Sequence, residues 1–492
     1  MNNSPPADDE LDPPYRDVFK DPQNGTPDNI TQAGCLALAR LGKEAWNAWR
    51  KDFPAWGSIA DPWENTADFS GFDFRDKWTN FDDFEFDHGA RFDGAQFGYN
   101  AFFTYTQFGD QTSFIGAQFG DDVNFEGAHF GYNARFEGAR FGNRTSFYGA
   151  QFGDVTSFIG AQFGALASFE GAQFGDDAHF DGAQFNDGAR FDGVQFNDRA
   201  SFAGFNWASL ADLYRKCPGG LEAAKAWAEA RGLSSETFKS ISFKGADFAG
   251  QVDFSGRAFE GPTSFGRLNY PIKIKRRSPD GNIVEKVLPK GHPVVFGQAP
   301  LFHNCKLHQD STFYGAEFPN PSTDPTKNDT AARAYRTLKL AFAQQQATHE
   351  EQRFFRLEMD EEAARASRSQ RWLFVVYKWV SDYGFSLSRP TFWWLVFMLL
   401  FSLIYSLLAG FTLCMPCQAD CHIRYDLLQF TLLQALPLPG LDKWSDSLRQ
   451  GLFPKEGWGS VWIIVAVMIH KAISLLAVFL FGLALRNLFK MK

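Results

Sequence analysis

The chain has 492 residues, enough for about three domains of ordinary size. Lys and Arg number 48 against 57 Asp and Glu, so the formal net charge is −9. Nucleic-acid-binding proteins are usually basic, so no nucleic-acid partner is expected. Phe occurs 55 times and outnumbers the 44 Gly, whereas Leu, Ala and Gly lead in ordinary globular chains. Phe must therefore fill a repeated structural role.

The N-terminal region divides into a polar tail and a helix. Residues 1–30 are rich in Pro, Asp and Asn, which favours a disordered tail. Residues 31–60 are expected to hold a single helix within TQAGCLALARLGKEAWNAWRKDF. This helix would cap whatever structure follows it.

The next region is repetitive. Phe recurs with spacings that alternate between five and six, so the repeating unit is a pair of these steps. The series is Phe92, Phe97, Phe103, Phe108, Phe114, Phe119, Phe125, Phe130, Phe136, Phe141, Phe147, Phe152, Phe158, Phe163, Phe169, Phe174, Phe180, Phe185, Phe191, Phe196 and Phe202. A small or β-branched residue stands two positions before each Phe. This period of two predicts short strands with turns, and the many interior Gly argue against helix.

The units, such as Gly94-Ala95-Gln96-Phe97-Gly98, resemble those of the pentapeptide-repeat family. The resemblance implies a right-handed four-sided β-helix with one unit on each side. The sixth residue in every second unit departs from the family pattern, so a coil of four sides takes two five-step and two six-step units, with the longer sides facing each other. The segment Glu44–Arg50 resembles the element that precedes the solenoid in many members of the family, and would shield the open strand edges of the first coil.

The same alternation extends the predicted β-helix over residues 61–320. Two insertions interrupt it. Residues 207–238 are expected to be helical, and residues 270–290 are expected to form a hairpin around Ser278-Pro279-Asp280-Gly281. A helical linker is predicted at 321–372.

Residues 373–492 are predicted to be a membrane domain with two spans. Residues 391–411 carry no charge, and residues 461–485 are almost as apolar, so each can cross a bilayer. Five Lys or Arg lie in residues 365–390 and three in 486–492, which predicts a multi-pass protein of the inner (plasma) membrane with both termini cytosolic. The lipid bilayer is thus an expected partner.

The connection between the spans contains a short apolar run at 425–438. It is too short to span, so it fits either a re-entrant helix or a helix lying at the outer interface. Span, short helix and span together resemble the layout of two-helix pore-loop channels, although no carbonyl-filter motif is present.

The second span is interrupted by His470 and Lys471. A charge at this depth is costly in lipid and should face protein or water. Two interpretations stay open. Both residues could line a pore or an oligomer interior, or Lys471 could make a structural contact to the loop helix, for instance with Asp426 or Gln434.

Cys414, Cys417 and Cys421, with His422, form the one metal-like spacing. Zinc could be held by such a set, but a disulfide between Cys421 and one of the other two is favoured because the loop is predicted to lie outside.

No catalytic motif is found, so the chain is expected to be neither an enzyme nor a cofactor-binding protein. The leading hypothesis is a membrane protein that presents a cytosolic solenoid as a scaffold for an unknown protein partner. The alternative is an oligomeric pore with the solenoid as its cytosolic domain. A third interpretation rests on charge: residues 92–202 contain 14 acids and five Arg, which is similar to pentapeptide-repeat proteins that mimic DNA and bind topoisomerase.

Overall fold

The computed structural model of the chain describes residues 13, 15–53, 66–75, 79–204, 237–277, 282–409, 420–436, 442–453 and 458–489. These residues divide into two compact units. The first comprises residues 1–320 with 333–341, and the second comprises residues 321–332 with 342–492.

Residues 15–30 are ordered, which corrects the expectation of disorder throughout 1–30. They form two short 3-10 helices and one antiparallel strand pair: Arg16–Lys20, Pro22–Asn24, and Gly25–Thr26 with Asn29–Ile30. The Asn24 side chain is buried and donates from Nδ2 to the carbonyl of Val18 at 2.7 Å. Trp49 donates from Nε1 to the carbonyl of Pro27 at 3.1 Å. A polar composition did not reveal these specific hydrogen bonds.

Two helices, α1 (Gln32–Arg40) and α2 (Lys43–Asp52), occupy the place of the single expected helix. The break falls at Gly42, whose φ of 94° is a conformation that glycine adopts without strain. Trp46 of α2 is fully buried, and its ring lies 5.1 Å from that of Phe86 and 5.9 Å from that of Phe69. Helix α2 therefore covers the first Phe side chains of the solenoid.

The repeats form a β-solenoid, as predicted. Two long parallel sheets carry most of the strands. One has the strands Gln96–Phe97, Gln118–Phe119, Arg140–Phe141, Gln162–Phe163, Gln184–Phe185, Thr237–Phe238 and Ala258–Phe259. The other has Glu85–His88, Gln107–Asp110, His129–Phe130, Gln151–Phe152, Gln173–Phe174, Gln195–Phe196, Asp247–Phe248 and Val295–Phe296.

The remaining sides of the solenoid carry shorter ladders. Their strands are Ala67–Asp68 with Ala90–Arg91; Ala178–His179, Ala200–Ser201 and Val252–Asp253; and Ala189–Arg190, Ile241–Ser242 and Thr263–Ser264. Isolated parallel bridges such as Ser113↔Arg135 and Ser146↔Ser168 continue these sides between the strands. Every such bridge in residues 91–190 joins positions 22 apart, so four sides make one coil.

The register is set by Phe. Phe141 pairs with Phe163, and Phe163 pairs with Phe185. Neighbouring rings in a column stack almost in parallel, as between Phe136 and Phe158 at 4.5 Å and Phe125 and Phe147 at 4.8 Å. Every Phe of the predicted series is at most 6% exposed. The interior is thus a set of ring stacks with Ala or another small side chain beside them.

The sixth residue of each longer unit adopts a left-handed backbone conformation in the turn. Four such residues, one per coil, have φ between 58° and 61°: Gln111, Asn133, Val155 and Asp177. A second column holds Asn100, Asp122, Arg144 and Leu166, with φ between 56° and 61°. The two columns are half a coil apart in sequence, so the longer sides face each other. Asn and Asp tolerate this conformation, whereas a β-branched residue such as Val155 is strained in it.

Both insertions leave the ladder and return to it in register. Gln195 pairs with Asp247 at a sequence separation of 52, where the uninterrupted ladder has 22. Phe248 pairs with Phe296 at a separation of 48. The structure does not describe residues 205–236. The helices expected in the insertion at 207–238 lie in this gap and so outside the described residues. Thr237–Phe238 is not part of that insertion but a strand of the solenoid.

The second insertion is a hairpin, with Ile272–Arg277 paired antiparallel to Ile283–Leu288. Its expected turn at 278–281 lies outside the described residues. After the last coil, Phe318 stacks on Phe296 at 5.2 Å and meets the edge of the Tyr335 ring at 5.8 Å. Tyr335 and Leu338 are fully buried, so residues 333–341 cover this end of the solenoid.

The second unit is helical. Helix α3 (Pro325–Gln344) belongs to it except for residues 333–341, which belong to the first unit. Its other helices are α4 (Thr348–Arg365), α5 (Arg368–Ser381), α6 (Ser388–Leu408), α7 (Asp420–Ala435), α8 (Asp442–Leu452) and α9 (Trp458–Phe489). The boundary predicted at 372 falls inside α5, because no helix breaker separates linker from membrane domain there. The helix expected at 425–438 starts earlier and ends at Ala435.

Candidate functional site

Helices α6 and α9 are long and apolar enough to cross a membrane, over Ser388–Leu408 and Val461–Asn487. Both fall where the sequence predicts spans. Large apolar side chains such as Leu399, Leu407 and Phe479 are 63–67% exposed. A surface of this kind suits lipid rather than water.

Helix α7 packs against both of these helices through one face. Its buried residues follow a helical spacing and are Leu427, Phe430, Thr431, Gln434 and Ala435. Leu427 and Phe430 join Phe401, Tyr405, Phe453, Ile463 and Ala466 in one core. Helix α7 is thereby a packed element of the bundle. Whether it enters the membrane or lies at its surface stays a prediction.

His470 lies inside this bundle rather than on its outer surface. It is 1% exposed, and its Nδ1 lies 3.2 Å from the hydroxyl of Tyr405 on α6. The Phe401 ring stacks on the imidazole with a centroid distance of 4.3 Å and an interplanar angle of 5°. These contacts hold α6 and α9 together through one hydrogen bond and one ring stack.

Other polar side chains are buried elsewhere in the bundle. Ser474, one turn after His470, is buried, and Gln434 of α7 is 1% exposed. Oε1 of Gln434 has no hydrogen-bond partner among the described residues, which is costly for a buried amide. Thr431 is satisfied, because its hydroxyl donates to the carbonyl of Leu427 at 2.8 Å.

Lys471 is half-buried on the flank of α9, next to the face that carries His470. The two adjacent residues therefore do not share one environment, as a helix turn of about 100° per residue requires. Tyr405 and Phe401 were missed by sequence reasoning, because a single Tyr in an apolar run carries no signal without its partner in a distant helix.

Cys414 and Cys417 lie outside the described residues, and Cys421 falls in the first turn of α7, with its side chain also outside them. Two other cysteines are free thiols: Cys35 and Cys305. Burial raises the pKa of each to about 11, so neither is an activated nucleophile. Among the described residues, no group of three or more His, Cys, Asp or Glu could hold a metal ion.

One face of the solenoid is covered by the hairpin. Ile272 and Ile274 of the hairpin lie over glycines of successive coils; a Cβ on Gly171, whose φ is 66°, would lie 2.5 Å from Cγ1 of Ile274. Arg276 donates to the carbonyl of Gly171 at 2.8 Å, and the hydroxyl of Tyr148 donates to that of Lys273 at 2.7 Å. This face is therefore closed to partners.

The outward side chains elsewhere form ladders across the coils. Arg144 pairs with Asp122 at 2.6 Å, and Arg199 pairs with Asp177 at 2.7 Å. Glu170 is largely buried, which raises its pKa, although Arg190 at 2.7 Å opposes that rise. Apolar residues also stand outward: Tyr99, Tyr132, Leu166 and Tyr314 are 51–73% exposed.

The model of the pentapeptide repeats matches the chain in nine copies, which include residues 92–140, 103–151, 136–184, 147–195 and 158–205. The solenoid is a pentapeptide-repeat solenoid. Its four-sided coil, with one inward Phe on each side, fits this match. No curated protein and no solved structure matches the chain. The family match covers the repeat and does not extend to the helical unit.

Proposed function

We propose that the protein is an integral membrane protein that presents its pentapeptide-repeat solenoid in the cytosol as a scaffold for another protein. The observation that carries this proposal is the outer surface of the solenoid. Its interior is filled by Phe, while Tyr99, Tyr132 and Leu166 stand exposed beside regular polar ladders. Exposed aromatic side chains on a rigid support are common anchors of protein interfaces.

The membrane part of the proposal is supported by the two apolar helices and by the distribution of positive charge. Lys and Arg precede the first span and follow the second one, which favours cytosolic termini. This orientation is tested by labelling intact cells with a membrane-impermeant maleimide, in a background where Cys414, Cys417 and Cys421 are replaced by Ser. Ser447→Cys should react and Lys490→Cys should not. The reverse pattern would place the solenoid outside.

The scaffold role is tested by photo-cross-linking in cells. A benzophenone amino acid that replaces Tyr132 should give a discrete adduct with another protein. The control replaces Tyr148, which the hairpin covers and which a partner therefore cannot reach. The partner is then identified by mass spectrometry. The proposal fails if no outward position, including Tyr99 and Leu166, yields an adduct above the level of the control.

A second function, an oligomeric pore, is favoured by one observation. Helix α9 carries Lys471 half-buried in mid-span, and α7, which packs on α9, contributes the buried amide of Gln434. Native mass spectrometry of the full chain in detergent measures the oligomeric state. A symmetric oligomer, together with a change in ion flux on Lys471→Glu in liposomes, supports the pore. A monomer that conducts no ions would exclude the pore and leave the scaffold as the proposed function.

A further inference from the structure

Helix α5 carries an exposed apolar stripe that nothing in the described residues covers. Trp372, Val375, Val376 and Trp379 follow the spacing i, i+3, i+4, i+7, and they are 57%, 49%, 45% and 66% exposed. This spacing places all four on one side of the helix. A water-soluble helix would carry polar residues there.

The opposite side of α5 is occupied within the unit. Phe374 and Tyr377 are half-buried, and Ser381 is buried. Lys378 reaches Asp360 of α4 with Nζ at 2.7 Å from Oδ1. The stripe is therefore not a misplaced core face, because α5 already has a packed side.

Helix α5 cannot span a bilayer. It has 14 residues, which at 1.5 Å per residue gives about 21 Å, against about 30 Å for the hydrocarbon core. It ends in a sharp turn, where Asp382, Tyr383 and Gly384 all have positive φ. The candidate span α6 begins soon afterwards at Ser388, so α5 sits next in sequence to a membrane entry point.

The chemistry of α5 matches the surface of an anionic bilayer. Arg368 lies on the stripe side at the start of the helix and Arg371 lies on its flank, and both are exposed. The Trp379 ring lies 6.2 Å from that of Trp393, in the first turns of α6. Trp at the boundary between headgroups and acyl chains, with basic residues beside it, is typical of interfacial helices.

We propose that α5 lies in the headgroup region of an anionic bilayer, with Trp372, Val375, Val376 and Trp379 towards the acyl chains. The inference rests on the proposed membrane function and adds a surface-bound helix to its two spans. A second copy of the chain could also cover an apolar stripe. The exposed arginines beside it and the continuity with α6 favour lipid, because two copies would bring like charges together.

The test uses the full chain reconstituted in vesicles of phosphatidylcholine with phosphatidylglycerol that carries a chemical tag. A benzophenone amino acid replaces Val376 in the stripe, Gln370 on the opposite side of α5, or Leu399 on the exposed surface of α6. Lipid adducts are then counted by mass spectrometry. We expect adducts at 376 to approach those at 399 and to exceed those at 370 several-fold.

The three positions separate the outcomes. Adducts at 399 without adducts at 376 would overturn the proposal and leave the spans in place. Adducts at neither position would remove the membrane assignment itself. A product with the mass of two chains from position 376 would show that a second copy covers the stripe, which also overturns the proposal.

The role of charge is tested in the same vesicles. Arg368→Gln and Arg371→Gln should each lower the ratio of phosphatidylglycerol to phosphatidylcholine adducts at 376 by about fivefold, the factor expected for one cation near an anionic surface. Adducts at 399 serve as the internal standard for insertion. Lys275→Gln, on the hairpin of the solenoid, is the matched control and should leave the ratio unchanged. An unchanged ratio in the arginine variants would refute the anionic preference.

Discussion

Removal of one ring from the Phe columns should destabilise the solenoid more than removal of a surface ring. Phe147 is fully buried, and it stacks on Phe125 and Phe169, each at a centroid distance of 4.8 Å. Phe147→Ala should cost about 3–5 kcal/mol in transfer and cavity terms. The loss of two ring stacks, each worth about 0.5–1.5 kcal/mol, favours the upper part of this range.

The site cannot collapse around the cavity, because the coils above and below are fixed. The amide of Phe125 donates to the carbonyl of Ser146 at 2.7 Å, and that of Phe147 donates to the carbonyl of Ser168 at 2.7 Å. We therefore expect the free energy of unfolding to fall by about 5 kcal/mol, the upper end of the range for such truncations. Because each coil contacts only its neighbours, the loss should open coils locally.

Phe102→Ala is the matched control, since Phe102 points outward and is 38% exposed. It should cost about 1 kcal/mol. Urea unfolding followed by β circular dichroism measures both variants in the full chain in detergent. Limited trypsin digestion should cut Phe147→Ala faster at Arg140 and Arg144 in the adjoining sides. Equal destabilisation by the two substitutions would contradict the assignment of Phe147 to a column that carries stability.

Three further predictions concern single residues. Val155→Asn should raise the free energy of unfolding in urea by about 0.5–1 kcal/mol, since Val155 has φ 61° and Asn133 occupies the same turn one coil earlier. The control is Thr156→Asn, which should lower the free energy of unfolding because it removes a buried hydroxyl that donates to the carbonyl of Gly153. Arg257→Met should destabilise by about 1–3 kcal/mol, because the buried guanidinium donates to the carbonyls of Phe202 at 2.6 Å and Phe180 at 3.0 Å; a neutral outcome would show that these donors are not needed. Burial raises the pKa of Glu361 from 4.5 to about 7, and the charge of Asp360 adds to this rise. The folded state therefore holds this proton more tightly than the unfolded state does. The contribution of the protonated carboxyl to stability is complete below pH about 4.5 and is lost as the pH rises to about 7. Glu361→Gln should remove that fall in the melting temperature between pH 5 and 8, and Glu362→Gln should keep it; a pH dependence that survives in Glu361→Gln would assign it to other groups.

The solenoid could be predicted from the sequence because every coil repeats the same physical demand. Each Phe needs a small neighbour and a turn, so the period of the coil is visible without any partner. Arg257 shows the limit: it stands two positions before Phe259, whereas Ala stands two positions before Phe97, Phe119, Phe141, Phe163 and Phe185 of the same column. Only the structure shows which carbonyls receive its donors.

The helical unit was less predictable. Length and apolarity were enough to locate α6 and α9, but the contact of His470 with Tyr405 joins residues that are far apart in the sequence. No local pattern carries such a pairing. The prediction of disorder was wrong at 15–30 for a related reason, since the order of this segment comes from a few specific bonds within it and to α2, and composition averages over them.

The chain returns to the solenoid in register after both insertions, and this fixes the distances between surface groups along the solenoid. The strands pair in register again after both detours, so the spacing of surface groups along the solenoid is independent of the length of chain between them. Each coil adds about 4.8 Å, the distance between paired strands. The solenoid therefore sets distances in steps of one coil. Deletion or duplication of one block of four sides, for example 136–157, would move every surface group beyond it by about 4.8 Å along the axis. Both ends of the solenoid would stay covered, by α2 and by residues 333–341.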